Sequence, residues 1–369
     1  MKIKNPTLLL AENDFHTGQI TWRSPSNIAI IKYWGKYGIQ LPRNPNISFT
    51  LNNAYTETIL TYKTKEKKDD SISLEFYFEG IENEAFRVKQ VKFLGTLLEI
   101  FPFLTQLDLK IESRNSFPHS AGIASSASSM SALALCLCSV ENQLFHQNTV
   151  RMDFFGEVGQ KFLKKASYIA RLGSGSACRS VYPIMAQWGK MKGVYGSSNN
   201  YAIPFESEIH DVFKTYHDDI LIVSKGEKSV SSRMGHGLMD NNPYAKPRYE
   251  QANTRMDILL KALNTGDIET FGQIAEDEAL TLHALMMTSS PSFTLLKPNT
   301  LKMMDILRGY RETTKTPVFF SLDAGPNLHL LYPHAFETQV KALIDNELKQ
   351  YCENNQVIFD TVGQGAIKM

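Results

Sequence analysis

Lys32 and Lys36 stand in an otherwise largely apolar run, Asn27-Ile28-Ala29-Ile30-Ile31-Lys32-Tyr33-Trp34-Gly35-Lys36-Tyr37, where cationic groups need a reason. Strand alternation sets Lys32, Trp34 and Lys36 on one face, and ammonium groups placed so repel each other unless anions lie between them. A bulge at Gly35 would re-aim one of the pair, and a solvated sheet face with snorkelling lysines fits the same pattern. Small residues dominate a second segment, Asn115-Ser116-Phe117-Pro118-His119-Ser120-Ala121-Gly122-Ile123-Ala124-Ser125-Ser126-Ala127-Ser128. Backbone of that composition can approach a ligand closely, and a helix beginning near Ser125 would offer unpaired N–H groups and a favourable dipole to a phosphate. The hydroxyls of Ser125, Ser126 and Ser128 could add hydrogen bonds or meet a metal ion on the phosphates. The structural alternative is a capped helix packed through Ala and Ser. The segment matches neither GxxxxGK[ST] nor GxGxxG.

Anion chemistry recurs further on. Gly173-Ser174-Gly175-Ser176-Ala177-Cys178-Arg179-Ser180 combines glycines, alternating serines and an arginine whose fork suits a carboxylate or a phosphate. A linker would look similar in its first residues, but the apolar strand that resumes at once favours an ordered turn. Lys228-Ser229-Val230-Ser231-Ser232-Arg233 repeats the combination between Gly226 and Gly235, in a pattern also typical of a surface loop. Asp323-Ala324-Gly325-Pro326-Asn327 lies between two apolar strands; it reads either as a plain turn or as a carboxylate at the mouth of a sheet, placed to accept a hydroxyl proton. No metal-ligand cluster emerges from the scattered histidines, and His119, His236, His283 and His329 read as structural or peripheral unless the wall of a site collects one of them.

The elements that would position these groups are mixed. Strand signals cover Asn27 to Trp34, Ile47 to Asn52, Thr56 to Tyr62, Ser71 to Glu79 and Leu107 to Ser113. Within Ser71 to Glu79, Ile72, Leu74, Phe76 and Phe78 share one face, as in a half-buried antiparallel sheet. A buried helix runs from Ser125 to about Val140, and another from about Met152 to Arg171. Strands follow near Ile184 to Gly189 and Asp219 to Ser224, then helices over Thr254 to Leu263, Asp267 to Met287 and Thr300 to Thr313. Strands at Pro317 to Leu322 and Leu328 to Tyr332, a helix near Ala335 to Leu348 and a strand at Val357 to Val362 complete the chain. Without regular βαβ alternation the fold class is α+β, and Tyr195 to Asn200 marks the approach to a second domain.

Bulk properties remove several function classes. Lys+Arg of 39 against Asp+Glu of 38 leaves +1, so no global field gathers nucleic acid or an anionic membrane. A hydrophobic share of 43% with 21% charged residues is that of a globular protein. The four cysteines, Cys136, Cys138, Cys178 and Cys352, lack CxxC spacing and read as thiols of a reducing compartment. The run from Thr7 to Ala11 ends too soon for a signal peptide, and no segment approaches the ~20 apolar residues of a membrane span. A cytoplasmic protein is expected.

Read in order along the chain, these motifs resemble those of the diphosphomevalonate decarboxylases, a branch of the GHMP kinase superfamily. Asn27 to Lys36 is similar to the family's first strand motif, Asn44 to Leu51 to the Asn/Ser-rich strand after it, and Phe117 to Ser128 to its phosphate loop. Gly173 to Ser180 resembles its substrate-anion turn, and Ser321 to Asn327 its catalytic aspartate turn. The resemblance implies a two-lobed α+β fold: an N-terminal nucleotide and phosphate lobe over residues 1–203, an α/β C-terminal lobe over 204–369, and a cleft between. It implies ATP and Mg²⁺, decarboxylation of 5-diphosphomevalonate, and a homodimer. Ser120, Ala121, Gly122, Ala124, Ser125, Ser126, Ser128 and Lys32 would hold ATP phosphates, with Ser126 at the metal ion. Tyr33, Lys36, Ser174, Ser176, Arg179, Ser231 and Ser232 would hold the substrate, Arg179 at its carboxylate. Lys36, with Lys32, would balance charge at the transferred phosphate, and Asp323 would face the 3-hydroxyl. Departures from the family pattern fall at His119-Ser120, Ser129 and Met234-Gly235-His236, which keeps a phosphomevalonate decarboxylase or a mevalonate 3-kinase open as alternatives. An RNA-contacting module is the rival of another class, disfavoured by the absence of a basic, aromatic-interleaved stripe.

Overall fold

In this computed structural model the described residues are 3–67, 69–118, 123–146, 156–205, 209–226 and 230–369. In the first lobe, strand β1 (Thr17–Ile31) is followed by a small hairpin, β2 (Lys36–Tyr37) and β3 (Leu41–Pro42), and by the long β4 (Asn46–Thr64). Next come β5 (Ser73–Phe78), β6 (Ile81–Glu82), helix α1 (Glu84–Gly95), β7 (Leu107–Asn115), α2 (Ser125–Phe145), α3 (Glu157–Gly173), β8 (Met185–Trp188) and β9 (Ala202–Pro204). The second lobe contains β10 (His217–Leu221), α4 (Ser232–Gly237), α5 (Ala245–Thr265), α6 (Ile268–Met287), α7 (Pro298–Thr314), β11 (Phe319–Leu322), β12 (Leu328–Tyr332), α8 (Glu337–Leu343) and β13 (Val357–Ile358). A last short strand, β14 (Ile367–Lys368), returns to the first sheet.

The first sheet has the order β14-β1-β4-β7-β5-β6, with β8 added to the first half of β4 and β9 to β8. Its pairings are antiparallel except β5 with β7, which run parallel, contrary to the antiparallel setting expected for Ser71 to Glu79. The crossover through α1 between them permits that pairing, since a parallel pair needs a long connection. The alternation itself holds: Leu74 and Phe76 are buried while Glu75 is exposed. The second sheet, β11-β12-β10-β13, is antiparallel throughout. Helices α2 and α3 pack on the first sheet and on each other, and α6 lies against β11.

Polar side chains interrupt β1 and β4 where the lobes meet. Beyond Pro25 the β1–β4 register shifts twice, and each irregularity bends the strand as it runs between the lobes. There Ile28, Ile30, Ile47 and Phe49 share an apolar cluster with Phe271, Ile274 and Phe319 of the second lobe. The Phe49 ring lies 5.7 Å from Phe271, which lies 4.8 Å from Phe213. Each such side chain stabilises by about 1.5–3 kcal/mol when fully buried, so the lobes are joined by core rather than by a linker. Asp360 adds a polar tie, its carboxylate accepting from the backbone N–H of Asn52, Asn53 and Ala54 at 2.7–2.8 Å. The 203/204 division drawn from sequence falls within β9, and β14 crosses back over it.

Candidate active site

A crevice of about 1240 Å³ opens between the lobes. Its floor is the far end of β1. That strand stops at Ile31, so Lys32 and Lys36 do not share a strand face as the alternation predicted. Gly35 takes φ +98°, and a Cβ there would stand 2.1 Å from the Tyr249 hydroxyl; the chain turns tightly at this point instead of bulging. Lys36 continues in the β2–β3 hairpin, half-buried, with its ammonium 3.1 Å from Gln40 Oε1.

Lys32 is buried and donates to Ser321 Oγ at 2.9 Å and to Asp323 Oδ1 at 3.3 Å. Burial pushes the ammonium below its ordinary pKa, with Asp323 pulling the other way. Lys32 lines the crevice with two of its three N–H donors given to Ser321 and Asp323 among the described residues, so one donor stays for an anion such as the phosphate expected from sequence. Its backbone is fixed as well. The Lys32 N–H donates to Glu278 Oε2 at 2.9 Å, and Glu278 is paired with the buried Arg248 of α5. Asp323 follows β11 directly, and its side chain is 23% exposed toward the crevice.

Arg179 is 2% exposed and donates to Ser48 Oγ at 2.8 Å, to Asn27 Oδ1 at 3.1 Å and to Asn46 Oδ1. Among the described residues its hydrogen-bond partners are all neutral, and no carboxylate is within ion-pair range. Burial accordingly lowers its pKa, while Cys178, Asp323 and Tyr33 oppose the shift. A buried cation surrounded by neutral acceptors is stabilised by an incoming anion. This pattern was hidden in the sequence, because Asn27, Asn46 and Ser48 look like ordinary strand polars until β1 and β4 pair.

Tyr33 lines the same wall with its hydroxyl buried and unpartnered among the described residues. Burial raises its pKa, so it is a neutral donor. A Cβ on Gly175 would sit 2.7 Å from that hydroxyl, which explains the glycine. His236 packs on Tyr33 and Trp34, with ring centroids 4.4 and 4.7 Å apart, and its Nδ1 accepts from the Gly35 N–H at 3.0 Å. That bond fixes the tautomer with the proton on Nε2. Burial, aided by Lys36, depresses its pKa to about 3. Of the four histidines considered from sequence, His236 is the one, among the described residues, that the wall collects.

Ser174, Ser176, Ser231 and Ser232 reach the crevice, as do Ala124, Ser125 and Ser126 at the start of α2. No side chain caps that start: Ala124 is the N-cap, at φ −58° and ψ 60°. The N–H groups of Ser125 and Ala127 are taken by the carbonyls of Ile123 and Ala124, so the exposed Ser126, with its N–H and hydroxyl, and the Ser125 hydroxyl are the groups suited to a phosphate. Ser126 Oγ lies 3.3 Å from Ser174 Oγ, joining the phosphate end to the substrate-anion turn. Ser128 is a correction. It is fully buried, and its hydroxyl lies 2.6 Å from Thr56 Oγ1, on the face of α2 that packs on the sheet; it does not line the crevice. Ser120, Ala121 and Gly122, with His119, Lys228 and Ser229, lie outside the described residues.

The crevice has an apolar arm that sequence reasoning missed, lined by Phe76, Phe78, Phe86, Phe93 and Met130. It exists because α1 covers β5, with Phe86 edge-on to Phe76 and Phe78 at 5.9 and 5.5 Å. The overlooked signal was Asn83, whose side chain caps α1 by accepting from the Phe86 N–H at 2.9 Å.

A helix start suited to phosphate, an apolar arm and a cationic pocket around the Asp323 carboxylate define an ATP-dependent enzyme of small anions on the two-lobed α+β frame of the GHMP kinases. The diphosphomevalonate decarboxylase-like N-terminal domain model matches residues 24–201, and the mevalonate 5-diphosphate decarboxylase C-terminal domain model matches 219–366. The chain belongs to the diphosphomevalonate decarboxylase family. It is 28% identical to the diphosphomevalonate decarboxylase of Ganoderma lucidum over 95% of this chain and 87% of that one. The crystal structure of mevalonate diphosphate decarboxylase from Staphylococcus aureus superposes with a TM-score of 0.79 at 29% identity, covering 96% of this chain and 98% of that chain. The structure of MDDEF in complex with MVAPP, AMPPCP and magnesium gives 0.76 at 28% identity, covering 96% and 99%.

Proposed function

We propose that the chain decarboxylates (R)-5-diphosphomevalonate in an ATP-dependent reaction, yielding isopentenyl diphosphate, ADP, phosphate and CO₂. The observation that carries the reading is the meeting of the Lys32–Asp323 pair, the buried Arg179 and the open start of α2 in one crevice. A tertiary hydroxyl leaves poorly, so phosphorylating it prepares its departure, and the protein's part is alignment and charge compensation. Asp323, held by Lys32, orients the 3-hydroxyl and takes its proton as the phosphoryl group arrives. When phosphate departs, positive charge grows on the tertiary carbon beside the substrate carboxylate, and the C–C bond electrons close the alkene as CO₂ leaves. Arg179 holds that carboxylate in line.

Ser125, Ser126 and the α2 backbone would take the ATP phosphates. The donor set fits magnesium shared with those phosphates: Ser126 and Ser125 offer neutral oxygens, which suit a hard cation that keeps its waters. Bound there, the ion would neutralise phosphate charge. The adenine would enter the apolar arm, where Gln90 keeps a buried Oε1, unpartnered among the described residues, for its amino group. Tyr33, Ser174, Ser176, Ser231, Ser232, Lys36 and the Nε2–H of His236 would surround the diphosphate end.

No helix among the described residues is long and apolar enough to cross a membrane. A cytoplasmic location fits four free, buried thiols, and a homodimer would scatter light at twice the 41.7 kDa chain mass. The test of function is direct. The protein is incubated with MgATP and, separately, mevalonate, its 5-phosphate and its 5-diphosphate, and ADP and CO₂ are measured. Equimolar ADP and CO₂ from the 5-diphosphate alone are expected. CO₂ from the monophosphate, or ADP without CO₂, would replace the reading with one of its two relatives.

A further inference from the structure

On the second sheet, three side chains outside the crevice point at one another. His217 opens β10 and pairs in register with Tyr332 at the end of β12, so His334, two residues beyond, is brought back beside it. Glu337 begins α8, three residues further on. His217 Nε2 lies 2.9 Å from His334 Nδ1, and Glu337 Oε2 lies 3.4 Å from the same His334 nitrogen. The ligand atoms of all three lie within 4.8 Å of one another. The two imidazoles differ in plane by 2° with centroids 5.3 Å apart, the geometry of rings meeting edge to edge.

We propose that His217, His334 and Glu337 form a binding site for a first-row transition-metal dication, zinc being the reference case. Two imidazole nitrogens and a carboxylate oxygen are borderline ligands of the kind such ions choose, whereas magnesium and calcium prefer oxygen alone. In a tetrahedral site with bonds of about 2.0–2.1 Å, ligand atoms stand roughly 3.3–3.4 Å apart. The His334–Glu337 separation already has that value; the ion would replace the hydrogen bond of the histidine pair, which has to widen by about 0.4 Å, and would draw His217 and Glu337, now within 4.8 Å, to the same spacing. The adjustment falls on His334, whose side chain is 64% exposed.

His217 supplies the fixed point. It is 5% exposed, and its ring stacks on Tyr332 at 4.7 Å and 12°; Tyr332 is in turn bonded to Asp219. Glu337 is oriented by Lys341, which pairs with its Oε1 and leaves Oε2 toward His334. A charged partner on the far oxygen aims the near one. Lys341 also sets a limit, because its ammonium repels a dication, so the affinity is expected in the micromolar range rather than the nanomolar. With three protein ligands, water completes the coordination. The ion would clamp β10, the turn after β12 and α8 together. None of its ligands lines the crevice, so it is separate from magnesium accompanying ATP.

The test uses the full chain, freed of metal with a chelator. Zinc chloride is titrated calorimetrically, with magnesium chloride as control, and thermal unfolding is followed in parallel. One zinc per chain, a rise in Tm and no comparable magnesium effect are expected. His334→Ala and Glu337→Gln alter exposed or half-exposed side chains and should each weaken zinc binding at least about tenfold and remove the Tm rise, with turnover of the substrate unchanged. Absence of zinc binding, or binding of equal strength in His334→Ala, overturns the proposal.

Discussion

Replacing Arg179 with lysine keeps the charge and removes the planar fork. In the structure Nε and both terminal nitrogens of Arg179 already serve Ser48, Asn46 and Asn27. Among the described residues one N–H on each terminal nitrogen then remains, enough for two hydrogen bonds to a substrate carboxylate. A hydrogen bond to a charged group is worth about 1.5–3 kcal/mol. A lysine ammonium restores one such bond at most, so kcat/KM should fall about 10- to 150-fold. Stability should also drop, because buried acceptors among Asn27, Asn46 and Ser48 lose their donors at about 1–3 kcal/mol each. Coupled ADP release and trapped CO₂ give the kinetics, and thermal unfolding in the same buffer separates the two effects. A folded Arg179→Lys enzyme within about threefold of the parent kcat/KM would make the guanidinium an internal brace for β1 and β4 and refute the carboxylate assignment.

Two serines on different faces of α2, Ser126 and Ser128, provide a paired contrast. Ser126→Ala should raise the concentrations of ATP and magnesium needed for half-maximal rate, whereas Ser128→Ala should leave kinetics intact and cost about 1 kcal/mol through its lost Thr56 bond; reversed effects would place the wrong hydroxyl at the phosphates. Stability should also respond to pH through Asp219, whose carboxyl is pushed up to about 7 by burial. A folded state that binds this proton more tightly than the unfolded chain loses stability as pH rises from about 4 to about 7, by up to about 4 kcal/mol. Asp360, raised to about 6 for the same reason, adds in the same direction. Asp219→Asn should therefore flatten the decline of Tm over that interval, and a slope parallel to the parent's would remove Asp219 as its source.

Local pattern carried much of this architecture. The alternation of Leu74 and Phe76 and the helical spacing of α2 and α6 are properties of short segments, and they survive in the fold. The crevice was legible to the extent that its residues carry their own chemical signature: Asp323, Arg179 and the serines of α2. Three features were not. The end of β1 at Ile31 depends on the Gly35 turn and on Glu278 reaching the Lys32 N–H from over two hundred residues away. The apolar arm needed α1, an exposed helix with only Leu94 buried, whose apolar pattern is too weak to announce it. The direction of the Ser128 hydroxyl follows from which face of α2 meets β4, a matter of packing rather than composition. Long-range partners decided the first and the third, whereas the second failed on a weak local pattern, since β5 and α1 are neighbours along the chain.

The most direct measurement compares Asp323→Asn with the parent in a single experiment that records ADP and CO₂ from 5-diphosphomevalonate alongside thermal unfolding. The loss of both products together, with Tm near the parent's, is predicted, because the amide keeps the shape beside Lys32 and Ser321 while losing the carboxylate that receives the hydroxyl proton. Near-normal rates of either product from the folded variant would contradict a crevice organised around Asp323.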